Sequence, residues 1–399
     1  MENSYIKVNG PVWSWFTEPQ AVYDPVTESL YIGVHNHNRP AVLIIDCATL
    51  NHTLVPLGNV PAILELDDHN NPSVRIMSNG HILVVYCKHN TDDFWNYQVS
   101  VRPNDATEFG PPQIIPLVDG ATYTHTWEIN GKVYNMTRAA TTNRTWVVQE
   151  ADVGVGPTLN WSAPIASWQG VGNGNNPDTF GYLVSSQTTP DRVDFLVTDD
   201  HPVFEADRVG HFYHDGFTFR NTDGTALPDD FDFDDVQLVS SVTLPDRMWV
   251  TDVKLDDAGN PRALYMKYRG ATGTNQEVWH AQWDGSAWVE RLITDDQGSG
   301  WLPPERFYNG EAHFDPDDLD ALIHSVERDG VYEVEHWRWD GVRFAKGSFT
   351  RNSTSNQLRP RFITTDGTKQ KFAYWISPES YVDFDNYISR IVINRSEVQ

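Results

Sequence analysis

The sequence predicts an all-β protein, a seven-bladed β-propeller made of four-stranded antiparallel blades. Helical periodicity is scarce, whereas runs that alternate apolar and polar residues, bounded by Gly, Pro, Asn and Asp, recur along the whole chain. There are seven such runs: SLYIGVHN, HILVVYCK, KVYNMTRA, RVDFLVTD, RALYMKYR, DALIHSVE and KFAYWISP. Their starting points are separated by about 50 to 70 residues, which suits one blade with its loops.

Turn chemistry marks further hairpins inside these units. Asp-Gly pairs in HFYHDGFTF, HAQWDGSAWV and HWRWDGVRF supply the positive φ angles that tight turns need. Each unit can bury its sheet only against its neighbours, so we expect the blades to close into a ring. No convincing linker divides the sequence, and we expect residues 1–399 to form a single propeller domain. We expect the acidic run at 229–235 to be a solvated loop rather than a calcium site, because regular ligand spacing is missing.

Composition and charge narrow the function classes. The chain has 399 residues, of which 39% are hydrophobic and 12% aromatic, as expected for a globular protein with a sizeable core. Lys and Arg total 29 against 55 Asp and Glu, a net charge of −26, which argues against nucleic acid or an anionic membrane as the partner. The sequence contains no run of 18 apolar residues, which is the length that would predict a membrane-spanning helix. The two cysteines, Cys47 and Cys87, lie in apolar runs and are expected to be buried free thiols.

The candidate functional residues lie in the second and third units. In the second unit His69 sits in DDHNNP, and His89 follows the returning strand 20 residues later. In the third unit Tyr123 and Arg138 occupy the same two places, before the first strand and after the second. Because one end of a propeller gathers loops from several blades, we expect these four side chains to share a pocket.

Two imidazoles, a phenol and a guanidinium suit β-elimination at the glycosidic bond to position 4 of a uronic acid. Arg138 would neutralise the carboxylate beside the weakly acidic C5 proton. His69 or His89 would take that proton as base, and Tyr123 would protonate the departing oxygen. Two histidines on opposite sides of the sugar ring would serve the two C5 epimers, glucuronate and iduronate.

The order of motifs also resembles a known family. ELDDHNNPSV, NGHILVVYCKHN, TYTHTW, NGKVYNMTRA, VTDDHP, YNGEAHFDP and LRPRF resemble seven-bladed propeller polysaccharide lyases with BNR-4-type repeats, the ulvan lyases and their relatives. The resemblance extends from WSWFTEP at 13–19 to the last unit, and its most specific piece is DDHNNP with the second His 20 residues on. It implies the base, acid and carboxylate-neutralising roles for His69, His89, Tyr123 and Arg138.

Further residues are expected around this site. We predict that the glycan is bound by Asn70, Lys88, His125, Arg306 and Arg359. His125 stands where the resembled family more usually has Asn or another small polar group, so the substrate is expected to differ in detail from ulvan. The chemistry needs no cofactor, but the resemblance implies a structural metal ion, zinc or calcium. Its candidate ligands are Cys87, His201 and His211.

The predicted partner is thus an anionic, uronate-containing polysaccharide such as ulvan, bound by a monomer. One alternative is a lyase acting between rhamnose and glucuronate on arabinogalactan-type glycans. The others are a non-catalytic glycan-binding propeller and a glycoside hydrolase with two catalytic carboxylates. We expect an extracellular protein. The N-terminal MENSYIKVNG has no basic region followed by an apolar stretch, so the signal peptide of such a protein would have been removed, or the protein would be exported by another route. Association with a virion or cell surface is the alternative location.

Overall fold

A computed structural model describes most of the chain. The described residues are 4–14, 16–58, 65–117, 120–139, 145–169, 181–204, 206–273, 275–295, 307, 311–365 and 370–397. They form seven antiparallel sheets of four or five strands, arranged as the seven blades of a propeller. The predicted fold is therefore confirmed. No helix within these ranges is long and apolar enough to cross a membrane.

The strands follow one another blade by blade. Strand β1 (Ser4–Asn9) belongs to the last blade. Blade 1 contains β2 (Pro11–Val12), β3 (Ala21–Asp24), β4 (Ser29–Asn36), β5 (Arg39–Asp46) and β6 (His52–Pro56). Blade 2 contains β7 (Ser73–Ile76), β8 (Ile82–Tyr86), β9 (Phe94–Arg102), β10 (Asp105–Phe109) and β11 (Gln113–Pro116). Blade 3 contains β12 (Ala121–Ile129), β13 (Lys132–Ala139), β14 (Thr145–Asp152) and β15 (Ile165–Gln169).

The other four blades repeat this plan. Blade 4 contains β16 (Tyr182–Thr189), β17 (Arg192–Thr198), β18 (Arg208–His214), β19 (Phe219–Asn221) and β20 (Gln237–Ser241). Blade 5 contains β21 (Arg247–Leu255), β22 (Pro261–Arg269), β23 (Asn275–Trp283) and β24 (Trp288–Thr294). Blade 6 contains β25 (Ala312–Asp315), β26 (Asp318–Arg328), β27 (Val331–Trp339) and β28 (Phe344–Ser348). Blade 7 contains β29 (Leu358–Thr364), β30 (Gln370–Ile376) and β33 (Arg390–Glu397), with a small hairpin of β31 (Ser380–Asp383) and β32 (Asn386–Ile388).

The seven runs predicted from the sequence form the second strand of each blade, and they are more apolar than a strictly alternating strand would be. This second strand lies between two strands of its own sheet, and both of its faces pack against other blades, so it loses the polar alternation of a half-exposed strand. In β8, for example, all five residues are buried. Two single-turn 3-10 helices, Asp68–Asn70 and Phe233–Asp235, interrupt the connections. The second lies in the acidic run, where Asp232 and Asp235 form a capping box at its N-terminal end.

The ring is closed by its two chain ends. Strand β1 pairs antiparallel with β33, in a register that runs from Ser4 opposite Arg395 to Asn9 opposite Arg390. The outermost strand of blade 7 is therefore supplied by the N-terminus. This pairing ties the first and last parts of the sequence together, so the blades need no covalent link to close. Cys47 and Cys87 are both buried and free, as predicted.

The segment between β2 and β3 runs across the centre of the ring. Phe16 is fully buried there, and its ring packs against three aromatic residues of the innermost strands. The ring centroids lie 5.4 Å from Tyr123 in blade 3, 4.8 Å from Tyr182 in blade 4 and 5.2 Å from Trp249 in blade 5. One side chain thus joins three blades at the axis.

Backbone hydrogen bonds hold the same segment in place. The Glu18 N–H donates to the Thr124 carbonyl at 3.0 Å, and the Glu18 carbonyl accepts from the Thr126 N–H at 2.8 Å. On the other side the Ser14 N–H donates to Asn71 Oδ1 at 3.0 Å. The segment therefore separates the two ends of the ring.

A cavity of about 770 Å³ occupies one of these ends. Residues from all seven blades line it, and its wall includes Asn130 and Gly131 of the β12–β13 turn and Pro190 of the β16–β17 turn. Tyr123 lies near the start of β12, at the other end of the strand from the β12–β13 turn. The predicted site and this cavity therefore lie at opposite ends of the axis.

Replacing Phe16 by Ala should lower the free energy of unfolding by about 3–5 kcal/mol, because the axis would be left with a cavity between three blades. Phe217, which is 84% exposed, is the matched control, and Phe217→Ala should change stability by no more than about 0.5 kcal/mol. Denaturant unfolding followed by tryptophan fluorescence measures both. A Phe16→Ala protein as stable as the Phe217→Ala protein would contradict the role of the axial segment.

Candidate active site

The structure brings the four predicted catalytic side chains together at one end of the ring. His69 lies in the 3-10 turn Asp68–Asn70 just before β7, and His89 lies in the connection from β8 to β9. Tyr123 is near the start of β12, and Arg138 is near the end of the neighbouring β13. Strand starts and returning strand ends of adjacent blades meet at the same end of the ring, which explains the convergence.

The two imidazoles are stacked on each other. Their ring centroids are 4.2 Å apart and their planes differ by 20°. The ring of Tyr123 lies 5.7 Å from His69 and 6.1 Å from His89. The guanidinium carbon of Arg138 lies 4.8 Å from the centre of the Tyr123 ring and 4.9 Å from that of Tyr182. All four predicted side chains are thus within one cluster, with Tyr182 added by blade 4.

A single carboxylate orients both imidazoles. His69 Nδ1 lies 2.6 Å from Asp67 Oδ1, and His89 Nδ1 lies 3.1 Å from Asp67 Oδ2. Asp67 also caps the 3-10 turn by accepting from the His69 N–H at 2.8 Å. Because a carboxylate accepts hydrogen bonds, each Nδ1 atom must carry a proton. The two Nε2 atoms are therefore the ones left for a ligand.

The pKa values of the two histidines are shifted in opposite directions, although Asp67 acts to raise both. Burial works against the charged form of His69, but Asp67 outweighs it and raises the pKa of His69. Burial and the adjacent His69 lower the pKa of His89, with a further contribution from Arg138 that Asp67 opposes. Burial opposes the charge of Asp67 too, yet its two imidazole partners bring the pKa of Asp67 well below its usual range. The site therefore favours one charged and one neutral imidazole.

Tyr123 sits on a strained piece of backbone. Its φ angle is +59°, which is unusual for a bulky residue and costs about 1–3 kcal/mol. The register of β12 against β13 shifts between Thr122 and His125, the mark of a bulge. Burial, with the nearby Tyr182, raises the pKa of Tyr123 well above its ordinary value, so the phenol keeps its proton. The bulge turns this protonated phenol toward the imidazoles.

The neighbouring carboxylate, Asp68, lies between His69 and blade 7, with its Oδ1 3.2 Å from His69 Nδ1. Its Oδ2 accepts from Arg359 Nη2 at 2.7 Å and from the Tyr381 hydroxyl at 2.8 Å. Arg359 also donates to the Trp13 carbonyl and to the Tyr381 hydroxyl. These groups hold the 3-10 turn against blade 7 and so fix the position of His69.

Three residues predicted to bind the glycan are fully buried and make contacts within the protein. Arg359 is fully buried and engaged with Asp68, beneath the site. His125 is fully buried, its Nδ1 lies 2.8 Å from Ser185 Oγ, and burial lowers its pKa to about 3. Asn70 is also fully buried, and its side-chain N–H donates to the Glu65 carbonyl at 3.3 Å. Sequence position places them beside the predicted catalytic residues, but the backbone turns their side chains inward.

The other two predicted binding residues differ from these. Lys88 is half-buried and pairs with Asp92 at 3.1 Å. It stays close to the site, in the connection that carries His89. Arg306 lies outside the described residues.

The three candidate metal ligands are not gathered in one place. The thiol of Cys87 lies 3.8 Å from the Tyr123 carbonyl. His211 is inside blade 4, with Nε2 3.1 Å from Asp194 Oδ1 and Nδ1 2.9 Å from Thr222 Oγ1. His201 packs instead against aromatic rings next to the site.

A different set has the spacing of metal ligands. Asp67, His69 and His89 place their ligand atoms within 4.8 Å of one another, and no other such group of three occurs in the part of the chain that the structure describes. The hydrogen bonds from both Nδ1 atoms to Asp67 account for that spacing without an ion.

Two residues next to the site, His201 and Phe384, were not predicted in these places. His201 lies 5.3 Å from Tyr182 and 4.8 Å from Trp249, and burial, with Arg138, lowers its pKa to about 3. Phe384 lies 5.3 Å from His69. Both belong to connections from the second to the third strand of a blade, as His89 does. The sequence feature that could have indicated these residues is the length of the connections, because a long connection can reach over the end of the ring. Nine residues separate β17 from β18, whereas two separate β4 from β5.

The fold and this cluster define a β-propeller with a group of titratable side chains at one end of its axis. Residues 39–296 match the model of the BNR repeat-containing family, and the chain belongs to that family. No curated protein matches the sequence.

Solved structures share the fold at low identity. A PL25 ulvan lyase, known alone and bound to -[GlcA(1-4)Rha3S]-, matches with a TM-score of 0.71 and 16% identity over 97% of this chain and 95% of that one. The polysaccharide lyase Uly1 matches with a TM-score of 0.62 and 12% identity over 98% and 99% of the two chains. Hydrazine synthase of Kuenenia stuttgartiensis matches with a TM-score of 0.51 and 11% identity over 97% and 98%. Because such different proteins share it, the likeness shows the fold alone.

Replacing Asp67 by Asn should lower the pKa of His69, because the carboxylate is what raises it against burial. NMR titration of ring-labelled histidine measures this pKa, with His69→Gln used to assign the resonance. Asp92→Asn is the control, since Asp92 pairs with Lys88 in the same region and should leave the His69 titration in place. Equal His69 pKa values in the wild type and Asp67→Asn would show that Asp67 does not govern the pair.

Proposed function

We propose that this protein is a polysaccharide lyase that cleaves the glycosidic bond to position 4 of a uronic acid by β-elimination. The observation that carries the proposal is the stacked imidazole pair on one carboxylate, beside a buried phenol and a buried guanidinium. Abstraction of the C5 proton forms the C4–C5 double bond as the C4–oxygen bond breaks, and the departing oxygen takes up a proton. The reaction needs a cation to neutralise the substrate carboxylate, a base to take the C5 proton and an acid to protonate the departing oxygen. This cluster contains a candidate for each of these roles.

Arg138 would neutralise the substrate carboxylate. The C5 proton is acidic only when the adjacent carboxylate carries no net negative charge, and a guanidinium can bind both carboxylate oxygens. The positive charge of Arg138 already acts on the neighbouring imidazoles, since it helps to lower the pKa of His89 and of His201. A substrate carboxylate held there would bring C5 close to the imidazoles.

His89 is the better candidate for the base. Its side chain is 23% exposed against 2% for His69, so a substrate can approach it. Its lowered pKa keeps it neutral, and the hydrogen bond to Asp67 places the free electron pair on Nε2. Asp67 therefore acts as a positioning residue for the base.

His69 then serves as a second positive charge rather than a second base. Its pKa is raised, so it favours the imidazolium form that would help Arg138 to neutralise the substrate carboxylate. The two imidazole rings are 4.2 Å apart, too close for a sugar ring to lie between them. The expectation that they act from opposite sides of the sugar on the two C5 epimers is therefore incompatible with the structure.

Tyr123 is the candidate acid. The oxygen that leaves C4 becomes strongly basic as the bond breaks, and a phenol with a raised pKa keeps its proton until then. Its ring centroid lies 5.7 Å from that of His69 and 6.1 Å from that of His89. Base and acid are thus close enough to act on adjacent carbon atoms of one sugar.

The proposed substrate is ulvan or a similar sulfated glycan. The likeness to an ulvan lyase whose structure holds a glucuronate-rhamnose sulfate unit supports this choice. Cleavage of arabinogalactan-type glycans between rhamnose and glucuronate is the alternative. A polymer of this kind is met outside the cell, so we propose an extracellular protein, and the steps described above require no metal ion.

Incubation with ulvan, heparan-type glycan, alginate and gum arabic tests the proposal. A lyase generates a double bond conjugated with the carboxylate, which absorbs in the ultraviolet. New reducing ends without that absorbance would indicate a glycoside hydrolase. Binding of a glycan with no product at all would indicate a non-catalytic propeller, and either result would overturn the proposal.

Replacing Arg138 by Ala should reduce kcat by about 10²–10³-fold, because the carboxylate next to the developing negative charge would lose its principal cation. Arg102, which is 55% exposed at the outer edge of blade 2, provides the control, and Arg102→Ala should retain wild-type turnover. Initial rates of unsaturated product give both values. Wild-type turnover by the Arg138→Ala protein would exclude Arg138 from the reaction.

The pH dependence of kcat/KM should be bell-shaped around the histidine pair. His89 must be neutral to act as base, and its pKa is lowered from the ordinary 6.5, so activity should rise along an acid limb below pH 6.5. His69 must be charged, and its pKa is raised from 6.5, so activity should fall along a limb above pH 6.5. Both limbs belong to the coupled pair. Initial rates measured across this range would disprove the assignment if the acid limb lay above pH 6.5.

A further inference from the structure

The hairpin β31–β32 of blade 7 is a wall of the candidate site. It interrupts the connection from β30 to β33, and 13 residues, 377–389, separate these two strands. That is the longest of the seven connections between second and third strands. Its tip, Asp383–Asn386, carries Phe384.

The hairpin is fixed to the turn that carries His69. The Phe384 carbonyl accepts from the Asp68 N–H at 3.0 Å, and the Tyr381 hydroxyl donates to the Asp68 carboxylate at 2.8 Å. Tyr387 extends the attachment to blade 1, because its hydroxyl lies 3.1 Å from His35 Nδ1. The position of the tip relative to the imidazoles is therefore set by hydrogen bonds at both sides.

Phe384 forms a corner with the stacked imidazoles. Its ring centroid lies 5.3 Å from His69 and 5.8 Å from His89, and its plane is tilted by 78° and 82° to theirs. Phe384 is half-buried, and His89 is the more exposed imidazole. The corner therefore opens to solvent next to the proposed base.

We propose that Phe384 determines which C5 epimer of the uronate is cleaved. This inference rests on the proposed lyase function. Both imidazoles lie on one side, so the C5 proton can be taken from one direction only. A sugar ring that packs an apolar C–H face against Phe384 must then turn a fixed face to His89 Nε2.

The chemistry of the two epimers makes this arrangement selective. Glucuronate and iduronate differ in the face of the ring from which the C5 hydrogen projects. With the carboxylate held by Arg138 and the ring held by Phe384, one epimer directs that hydrogen at the base and the other directs it away. Without the phenyl ring, the sugar can tilt until either hydrogen is within reach.

The test compares defined oligosaccharides that contain glucuronate or iduronate at the cleaved position. The measured quantity is the ratio of kcat/KM for the two epimers, in the wild type, Phe384→Ala and Phe384→Tyr. Phe384→Ala should bring this ratio about tenfold closer to unity. Phe384→Tyr keeps the aromatic ring and should therefore retain the wild-type ratio. Thermal unfolding of each variant shows whether the fold is retained.

Val382, which is 54% exposed on the same hairpin, supplies the control, and Val382→Ala should leave the ratio unchanged. A Phe384→Ala protein that is slower on both epimers by the same factor would overturn the inference and leave the lyase function standing. A wild type that cleaves neither oligosaccharide nor any glycan of the panel would instead overturn the proposed function itself.

Discussion

Closure of the ring is the constraint on which the rest of the structure depends. A propeller blade buries its sheet faces only against its neighbours, so an open ring would expose two apolar faces. The pairing of β1 with β33 closes it, and the axial segment around Phe16 joins blades 3, 4 and 5 from the inside. The site depends on the same closure, because the hairpin of blade 7 holds the turn of blade 2 through Asp68.

Electrostatic balance within the site explains how so acidic a protein could accept an anionic glycan. Of the two adjacent carboxylates, Asp67 is neutralised by the imidazole pair and Asp68 by Arg359. Both carboxylates are buried with their partners, so their charge is cancelled locally rather than by solvent ions. Arg138, held against two phenol rings, then contributes positive charge beside the imidazole pair. The net charge of −26 therefore says little about the field at this end of the ring.

The sequence predicted more of the site than of its supports. His69, His89, Tyr123 and Arg138 could be grouped because equivalent places in adjacent blades meet at the same end of a propeller. The contacts of blade 7 with blade 2 could not be predicted, because nothing in the local sequence indicates that Phe384 lies next to Asp68. The inward direction of His125 and Arg359 was also inaccessible, because His125 directly follows a bulge and Arg359 lies within one, and the extra residue of a bulge changes the side-chain alternation.

By itself the sequence determined the class of fold, the number of blades and the free state of both cysteines, because strand period, turn residues and repeat spacing are local properties of the chain. Tertiary structure alone decided that the two imidazoles share one carboxylate and stack, and that a hairpin from the last blade packs against them. It also decided that Arg359 supports the site from below. These depend on distances between residues that lie far apart in the chain, and such distances are fixed only when the ring closes and its blades pack.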